Sequence, residues 1–310
     1  MNFQYDQLFR VCLMCGGLFF RGVQAEAHDA PGQPAHTHLS GNSSASRVTM
    51  AEKGEYRIVT SNGLPDHQPG QFPRRGNPNR VSAQQYQFRM PLQPEQARTV
   101  TPVGMNRFGV ALNGVPFDPG AAEFWNRDRR SGWQYEANSG KINLGLDEHH
   151  AHVQPDGGYH YHGLPTGLVE IREESSSHTD PILIGYAADG FPIYSSEGYR
   201  NPQDLSSGLK RMKSSYRVKS GQRPGGPGKS YDGTFVEDYE FVEGSGDLDE
   251  CNGREGVTPE YPGGIYHYYV TEDFPFIPRY FRGTPDASFA KRGPPFPGGP
   301  GRRPPFPPPR

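Results

Sequence analysis

The stretch "HHAHVQPDGGYHYHG" at 149–163 holds five of the eleven histidines of the chain within fourteen positions. Neutral imidazole nitrogens are ligands for zinc, copper, iron and nickel. Side chains two residues apart on a β-strand share one face, so His150 lies on the face of His152 and His160 on that of His162. This alternation predicts a transition-metal site on one face of a two-stranded ribbon.

The segment between the two histidine pairs, "QPDGG" at 154–158, is typical of a tight turn. Pro155 presets φ for the first turn position, and Gly157 can adopt the positive φ of the bulge that follows. A three-residue hairpin loop of this kind pairs Gln154 with Gly158. The sequence therefore predicts a β-hairpin that brings the two histidine pairs together.

The predicted register places His152 opposite His160 and His150 opposite His162, with Cβ atoms roughly 4.5–5.5 Å apart. A slip of one residue would instead bring His149 to the face of His160 and His162. Either register makes at least three imidazoles converge. The four ligands expected from the favoured register are His150, His152, His160 and His162.

Other polar residues near these strands are alternative ligands, or groups that orient a ligating ring through its second nitrogen. They are His149, Asp147, Glu148, Asp249, Glu250 and His267. Copper or zinc is the ion expected. The competing interpretation is a structural cluster, in which stacked rings bond to backbone carbonyls and carboxylates.

Both ends of the chain are predicted to lie outside the folded domain. Residues 1–27 have the pattern of a secretory signal, with cleavage expected after Ala25 or after Ala27. Its apolar run of ten residues is too short to span a bilayer. Residues 28–50 resemble a polar linker, and the Pro/Gly/Arg-rich tail at 292–310 is expected to be disordered. The protein is therefore expected to be secreted, periplasmic or at the cell surface.

Cysteine usage limits how the exported domain can be stabilised. Two of the three cysteines leave with the predicted signal, and Cys251 alone remains. A single cysteine cannot form an internal disulfide, so stability must come from packing or from a bound ion. Asp249 and Glu250 precede this cysteine and would raise the pKa of its thiol, which argues against a nucleophile.

The middle of the chain, about 51–291, is predicted to be a β-rich domain with long loops. Short aromatic and β-branched runs such as "QYQFRM" and "GIYHYYVT" are separated by Gly, Pro, Asn and Asp. This pattern favours an antiparallel sandwich or a distorted barrel.

An internal repeat is also visible. "LDE" at 146–148 precedes "YHYH" at 159–162, and "LDE" at 248–250 precedes "YHYY" at 266–269. The first copy keeps five histidines, and the second keeps His267 alone. This indicates a duplication in which the first copy carries the chemistry.

These motifs resemble the YHYH-domain family. The resemblance extends through "ALNGVPFDPGAAEFW", "LGLDEHHAHVQPDGGYHYHGLP", "IGYAADGFPIYS" and "LDECNGR", at 111–125, 144–165, 184–195 and 248–254. It covers most of the middle domain. It implies a domain whose members are typically exported, and it implies no particular reaction.

Two classes of function therefore follow from the sequence. The first is an exported domain that binds copper or zinc, either to hold the metal or to use it chemically. The second is a non-enzymatic extracellular module that binds carbohydrate or the cell envelope, in which the His/Tyr cluster is structural. The net charge of −2 argues neither for nor against any partner. No segment resembles a nucleic-acid-binding platform, so no nucleic-acid partner is expected, and no stable membrane insertion is expected.

Overall fold

A large open sheet organises the protein. The computed structural model describes residues 45–291. Most of the predicted signal, linker and tail therefore lies outside the described residues. The first strand begins at Val48, within the range predicted as linker.

The regular elements are mostly short strands. The strands are β1 (Val48–Lys53), β2 (Tyr56–Ser61), β3 (Tyr86–Pro91), β4 (Thr101–Pro102), β5 (Gly109–Ala111), β6 (Pro116–Phe117), β7 (Ala151–Val153), β8 (Tyr159–Tyr161), β9 (Leu183–Ala187), β10 (Pro192–Tyr194), β11 (Glu197–Tyr199), β12 (Leu209–Arg211), β13 (Tyr216–Val218), β14 (Tyr239–Phe241), β15 (Gly253–Gly256), β16 (Ile265–Tyr269) and β17 (Tyr280–Phe281). The helices are α1 (Thr166–Glu173) and the 3-10 turns Trp125–Arg127, Arg129–Ser131, Val236–Asp238 and Ala287–Phe289. The prediction of a mainly β protein with long loops is confirmed.

The eight-stranded sheet has the order β15-β16-β10-β9-β5-β6-β8-β7. It stays open, and it is mixed, because β6 pairs with β8 and β10 with β16 in parallel while the other pairs are antiparallel. A separate three-stranded sheet has the order β1-β2-β3. Of the two architectures expected, a distorted barrel does not form among residues 45–291, and the main sheet is mixed where an antiparallel one was expected.

Strand order reveals a two-fold internal symmetry. Starting from either edge of the sheet, the outer hairpin (β15–β16 or β7–β8) pairs in parallel with an inner hairpin (β10–β9 or β6–β5). The two halves meet at the antiparallel pair of β5 and β9. The sequence "GVALNGVPF" at 109–117 thus corresponds to "GYAADGFPI" at 185–193, with Gly, Ala, Gly and Pro in the same places. The duplication predicted from the two "LDE" and "YHY" motifs extends to the whole sheet.

Close backbone contact explains the glycines at the centre. A Cβ atom added at Gly109 would lie 2.5 Å from the carbonyl oxygen of Tyr186, and one at Gly185 would lie 2.4 Å from that of Val110. No side chain fits at such distances, so glycine is needed where the two halves meet.

The core is rich in aromatic rings. Large side chains that are fully buried include Phe108, Phe117, Tyr161 and Tyr268. Rings pack edge to face or stacked, as in the pair Phe108–Tyr268 with centroids 4.9 Å apart. Each such ring removes a large apolar area from water, which lets a chain of low overall hydrophobicity build a core.

Candidate metal centre

The hairpin β7–β8 forms with the predicted register. His152 pairs with His160, the Gln154 N–H donates to the Gly158 carbonyl over 2.9 Å, and Gly157 has a φ of +88°. Turn chemistry and alternation therefore place these residues as the sequence predicts.

Three imidazoles converge on one face of this hairpin. Nε2 of His162 lies 3.0 Å from Nε2 of His160 and 3.1 Å from Nε2 of His152. The three ring centroids are 4.7–4.8 Å apart in every pair. His160 and His162 are buried and His152 is half-buried. We call His152, His160 and His162 the histidine triad.

Backbone carbonyls fix the tautomers of two of the rings. Nδ1 of His152 lies 2.9 Å from the Leu144 oxygen, and Nδ1 of His160 lies 3.2 Å from the Gly158 oxygen. A carbonyl only accepts, so both Nδ1 atoms carry the proton and both Nε2 atoms present a lone pair toward the centre of the triad. This is the way outer carbonyl groups orient metal-ligating histidines.

The third ring cannot satisfy both of its neighbours. Nδ1 of His162 is buried and has no hydrogen-bond partner among the described residues. A neutral His162 with its proton on Nε2 could donate to His152 or to His160, but not to both. At least one of the two Nε2–Nε2 contacts of about 3 Å therefore has no proton to form a hydrogen bond, an arrangement that a shared cation would stabilise.

Protonation of the rings is disfavoured. Burial lowers the pKa of His152, and it lowers the pKa values of His160 and His162 well below their usual range. A charge on His152 would lower the latter two pKa values further. The triad therefore consists of neutral imidazoles near neutral pH, the form in which histidine binds metals.

His150 does not join the triad. Its carbonyl accepts the His162 N–H over 2.7 Å, as the register predicts. Its φ of +53°, however, breaks the strand alternation, and its Nδ1 bonds to the Leu164 oxygen at 2.9 Å. The left-handed backbone therefore turns the fourth predicted ligand away from the other three.

The ring of His149 forms hydrogen bonds with the first residues of helix α1. Its Nδ1 accepts the Gly167 N–H over 3.0 Å, so its Nε2 carries the proton and donates to the Gln68 oxygen over 3.0 Å. Its ring packs against His67, with centroids 4.1 Å apart. Both nitrogens are occupied, and the ring lies outside the triad.

Asp147 anchors the loop before β7. Oδ1 accepts the N–H groups of His149 and Ala151 over 3.0 and 3.1 Å, and Oδ2 accepts the Tyr159 hydroxyl over 2.7 Å. This carboxylate organises the hairpin and is not part of the triad. The neighbouring Glu148 is exposed.

Asp249 has the same role in the second half. Oδ1 accepts the N–H groups of Cys251 and Gly253 over 2.9 and 3.0 Å, and the Tyr266 hydroxyl donates to both oxygens. Glu250 is exposed. The two "LDE" motifs are therefore matching loop anchors. Cys251 is free and buried. Burial raises the pKa of its thiol, and the negative charge of Asp249 raises it further.

The second hairpin carries a different set of side chains at the triad positions. Arg254 pairs with His267 across β15–β16 as His152 pairs with His160. His267 is fully buried, with Nδ1 on the Ile265 oxygen and Nε2 on the Tyr269 hydroxyl, both at 2.8 Å. Among the described residues this half forms no comparable group of potential metal ligands.

A cavity of about 470 Å³ opens beside the triad. All three histidines line it, together with Asn79, Gln154 and Lys291. No local motif points to Lys291, which lies 129 positions after His162. A ligand could approach the Nε2 face of the triad through this cavity.

The two tryptophans, Trp125 and Trp133, present little exposed aromatic surface to a carbohydrate or envelope ligand. Both indoles are half-buried, and Trp133 packs edge to face on Phe235 with centroids 5.6 Å apart. No helix among residues 45–291 is long and apolar enough to cross a membrane.

Comparison with known families is consistent with this organisation. The family described as YHYH protein matches residues 87–283, more than half of the chain, and this range includes all eight strands of the eight-stranded sheet. No curated protein and no solved structure shows significant similarity to the chain. The chain belongs to the YHYH family.

Proposed function

We propose that this protein is an exported domain that binds one copper or zinc ion through the histidine triad. The observation that carries the proposal is the convergence of three Nε2 atoms, two of them unprotonated because their Nδ1 atoms donate to carbonyls. Carboxylates and thiols take no part in the group.

The spacing of the nitrogens supports a shared ion. Zinc–imidazole bonds measure about 2.0–2.1 Å, so two nitrogens on one ion lie about 2.9 Å apart at a right angle and about 3.3 Å apart at the tetrahedral angle. The distances of 3.0 and 3.1 Å fall within this range. Two of the three nitrogen pairs therefore already have the spacing of ligands on one ion, and all three nitrogens lie within 4.8 Å of one another.

The number of ligands supports a centre that interacts with molecules from solution. Structural zinc sites are closed by four protein ligands, whereas sites that bind water or substrate use three and leave a position free. The triad supplies three nitrogens, and the cavity lies beside them. We infer that the ion binds a further ligand in this cavity.

The competing hypothesis, an interaction module with an architectural histidine cluster, requires partners for each ring nitrogen. Nδ1 of His162 is buried without a partner among the described residues, and the Nε2 contacts lack enough protons. Histidine ligation also suits export, because imidazoles withstand oxidation better than thiolates do.

Elemental mass spectrometry of untagged protein purified without chelator tests the proposal. We expect about one equivalent of copper or zinc, and its loss in the variant His160→Gln/His162→Gln. His150→Asn is the matched control, because His150 lies outside the triad and Asn252 adopts the same left-handed backbone in the other half. Absence of metal after challenge with each ion, or equal content in both variants, would contradict it.

A further inference from the structure

We propose that the metal centre takes a small anion, such as a carboxylate or an inorganic oxyanion, bound between the ion and the ammonium group of Lys291. This inference rests on the proposed metal centre. It assigns an anion-binding role to Lys291 and a positioning role to Asp118.

Strand alternation places Asp118 on the face of the triad. Phe117 pairs in parallel with Tyr161, and their rings lie on one face with centroids 5.7 Å apart. Asp118 follows directly, and its N–H donates to the Tyr161 oxygen over 2.9 Å. Since successive side chains alternate, Asp118 lies on the opposite face, with His160 and His162.

The Asp118 carboxylate is buried and only partly satisfied. The side chain of Asp118 is 2% exposed. Oδ2 accepts from Lys291 Nζ and, over 3.4 Å, from Gln154 Nε2. Oδ1 is buried and has no hydrogen-bond partner within residues 45–291. The carboxylate therefore holds the ammonium group of Lys291 through Oδ2.

The ammonium group of Lys291 has N–H donors that Asp118 does not use. An ammonium group carries three N–H donors, and the described residues give Lys291 one side-chain partner, Asp118. Lys291 lines the same cavity as the three histidines. An anion coordinated at the free metal position can therefore also accept a charge-assisted hydrogen bond from Lys291.

Charge balance favours an anion over a neutral ligand. Three neutral imidazoles leave the charge of a divalent ion uncompensated, and Asp118 offsets Lys291. The two other charged residues that line the cavity, Glu123 and Arg129, carry opposite charges and cancel. A buried excess of positive charge is costly unless it is paired. Asn79 and Gln154, which also line the cavity, add amide groups that suit a polar ligand, and a volume of about 470 Å³ fits a small molecule.

A comparison with the second half of the sheet supports the roles assigned to Lys291 and Asp118. Tyr194 stands where Asp118 stands in the first half, and its ring packs 5.3 Å from that of His267. Its hydroxyl donates to Thr258 or Glu260. The acid–lysine pair thus occurs in the half that has the histidine triad.

Titration of the copper(II)-loaded protein with azide and with neutral imidazole, followed by visible absorption, tests the inference. The variant is Lys291→Met/Asp118→Asn, which removes both charges together. The control is Lys210→Met/Asp247→Asn, which removes an ion pair of 2.6 Å whose residues do not line the cavity. Copper content is measured for each protein before titration.

We expect saturable azide binding in wild type and control, and azide binding weaker by roughly tenfold or more in the variant, since a charge-assisted hydrogen bond is lost. Imidazole affinity and copper content should be unchanged. Equal azide affinity in variant and wild type, or equal weakening of azide and imidazole, would overturn the role of Lys291. Bound copper that does not respond to azide would overturn the anion site alone, whereas absence of copper would overturn the metal centre and this inference together.

Discussion

Arg254 stands opposite His267 in the second hairpin, at the register position that His152 holds opposite His160 in the first. Its Nη2 lies 3.3 Å from the Tyr269 hydroxyl and donates to the Tyr199 oxygen over 2.7 Å. The second half therefore carries a permanent cation beside the position where the first half gathers neutral imidazoles. This relationship supports a cation at the triad.

The symmetry predicts that a second metal site can be made. The double variant Arg254→His/Tyr269→His recreates the triad around His267, which already has its Nδ1 on a carbonyl. We expect the metal content to rise from about one equivalent to about two, measured by elemental mass spectrometry. The single variant Arg254→His, with two imidazoles, should retain one equivalent. A folded double variant with unchanged content would argue against equivalence of the halves.

Removal of the metal by a chelator is expected to lower the stability of the folded protein. A ligand that binds only the folded state stabilises it by about 2.7 kcal/mol when its free concentration is a hundred times its Kd. EDTA should therefore lower the Tm of the metal-loaded wild type and leave that of His160→Gln/His162→Gln unchanged. Calorimetry with and without chelator measures this, and an equal response of both proteins would point to another site.

The buried carboxylate of Asp189 makes the stability of the protein depend on pH. It occupies the position of Asn113 in the other half, and its Oδ2 accepts the Tyr268 hydroxyl and the Gly283 N–H. Burial raises the pKa of Asp189 to about 6, above the unfolded value of about 3.9. The folded state thus binds the proton more tightly, and stability from this group is present below pH 4 and lost as pH rises through 6.

The variant Asp189→Asn should therefore be more stable than wild type at pH 8, on the order of 2 kcal/mol, and nearly equal to it at pH 4. Urea denaturation at both pH values measures the difference. A variant that is less stable at pH 8 would show that the ionised carboxylate is needed for the bond from Tyr268.

His149 is expected to affect folding and not metal content. The variant His149→Ala loses the acceptor for the Gly167 N–H and the donor to the Gln68 oxygen. Leaving buried groups unpaired costs about 1–3 kcal/mol, which urea denaturation would detect. Glu148→Ala, at the exposed neighbour, is the control. Loss of metal from a folded His149→Ala variant would place this ring at the centre after all.

Local chemistry explains which parts of the site the sequence predicts. The turn at 154–158 and strand alternation determine the register of His152 with His160, and both act over a few residues. The left-handed φ of His150 depends on the loop anchored by Asp147, whose hydrogen bonds are not visible as a strand pattern. Alternation alone therefore assigns one ligand too many.

Contacts between residues far apart in the sequence explain the parts of the fold and the site that the sequence does not predict. The short strands give no signal for the parallel pairing of β6 with β8 or of β10 with β16, and so the mixed sheet follows only from the fold. Asp118 and Lys291 meet across 173 positions, without a motif at either residue. The two matching halves, in contrast, are visible in the sequence because each half repeats the same turn and anchor residues.

The most direct test of the central claim is anomalous diffraction from crystals of the metal-loaded protein, recorded on both sides of the copper or zinc absorption edge. We predict one peak, about 2.0–2.1 Å from Nε2 of His152, His160 and His162. A peak at any other group of side chains, or no peak in protein that has been loaded and shown to be folded, would contradict the assignment of the triad as a metal centre.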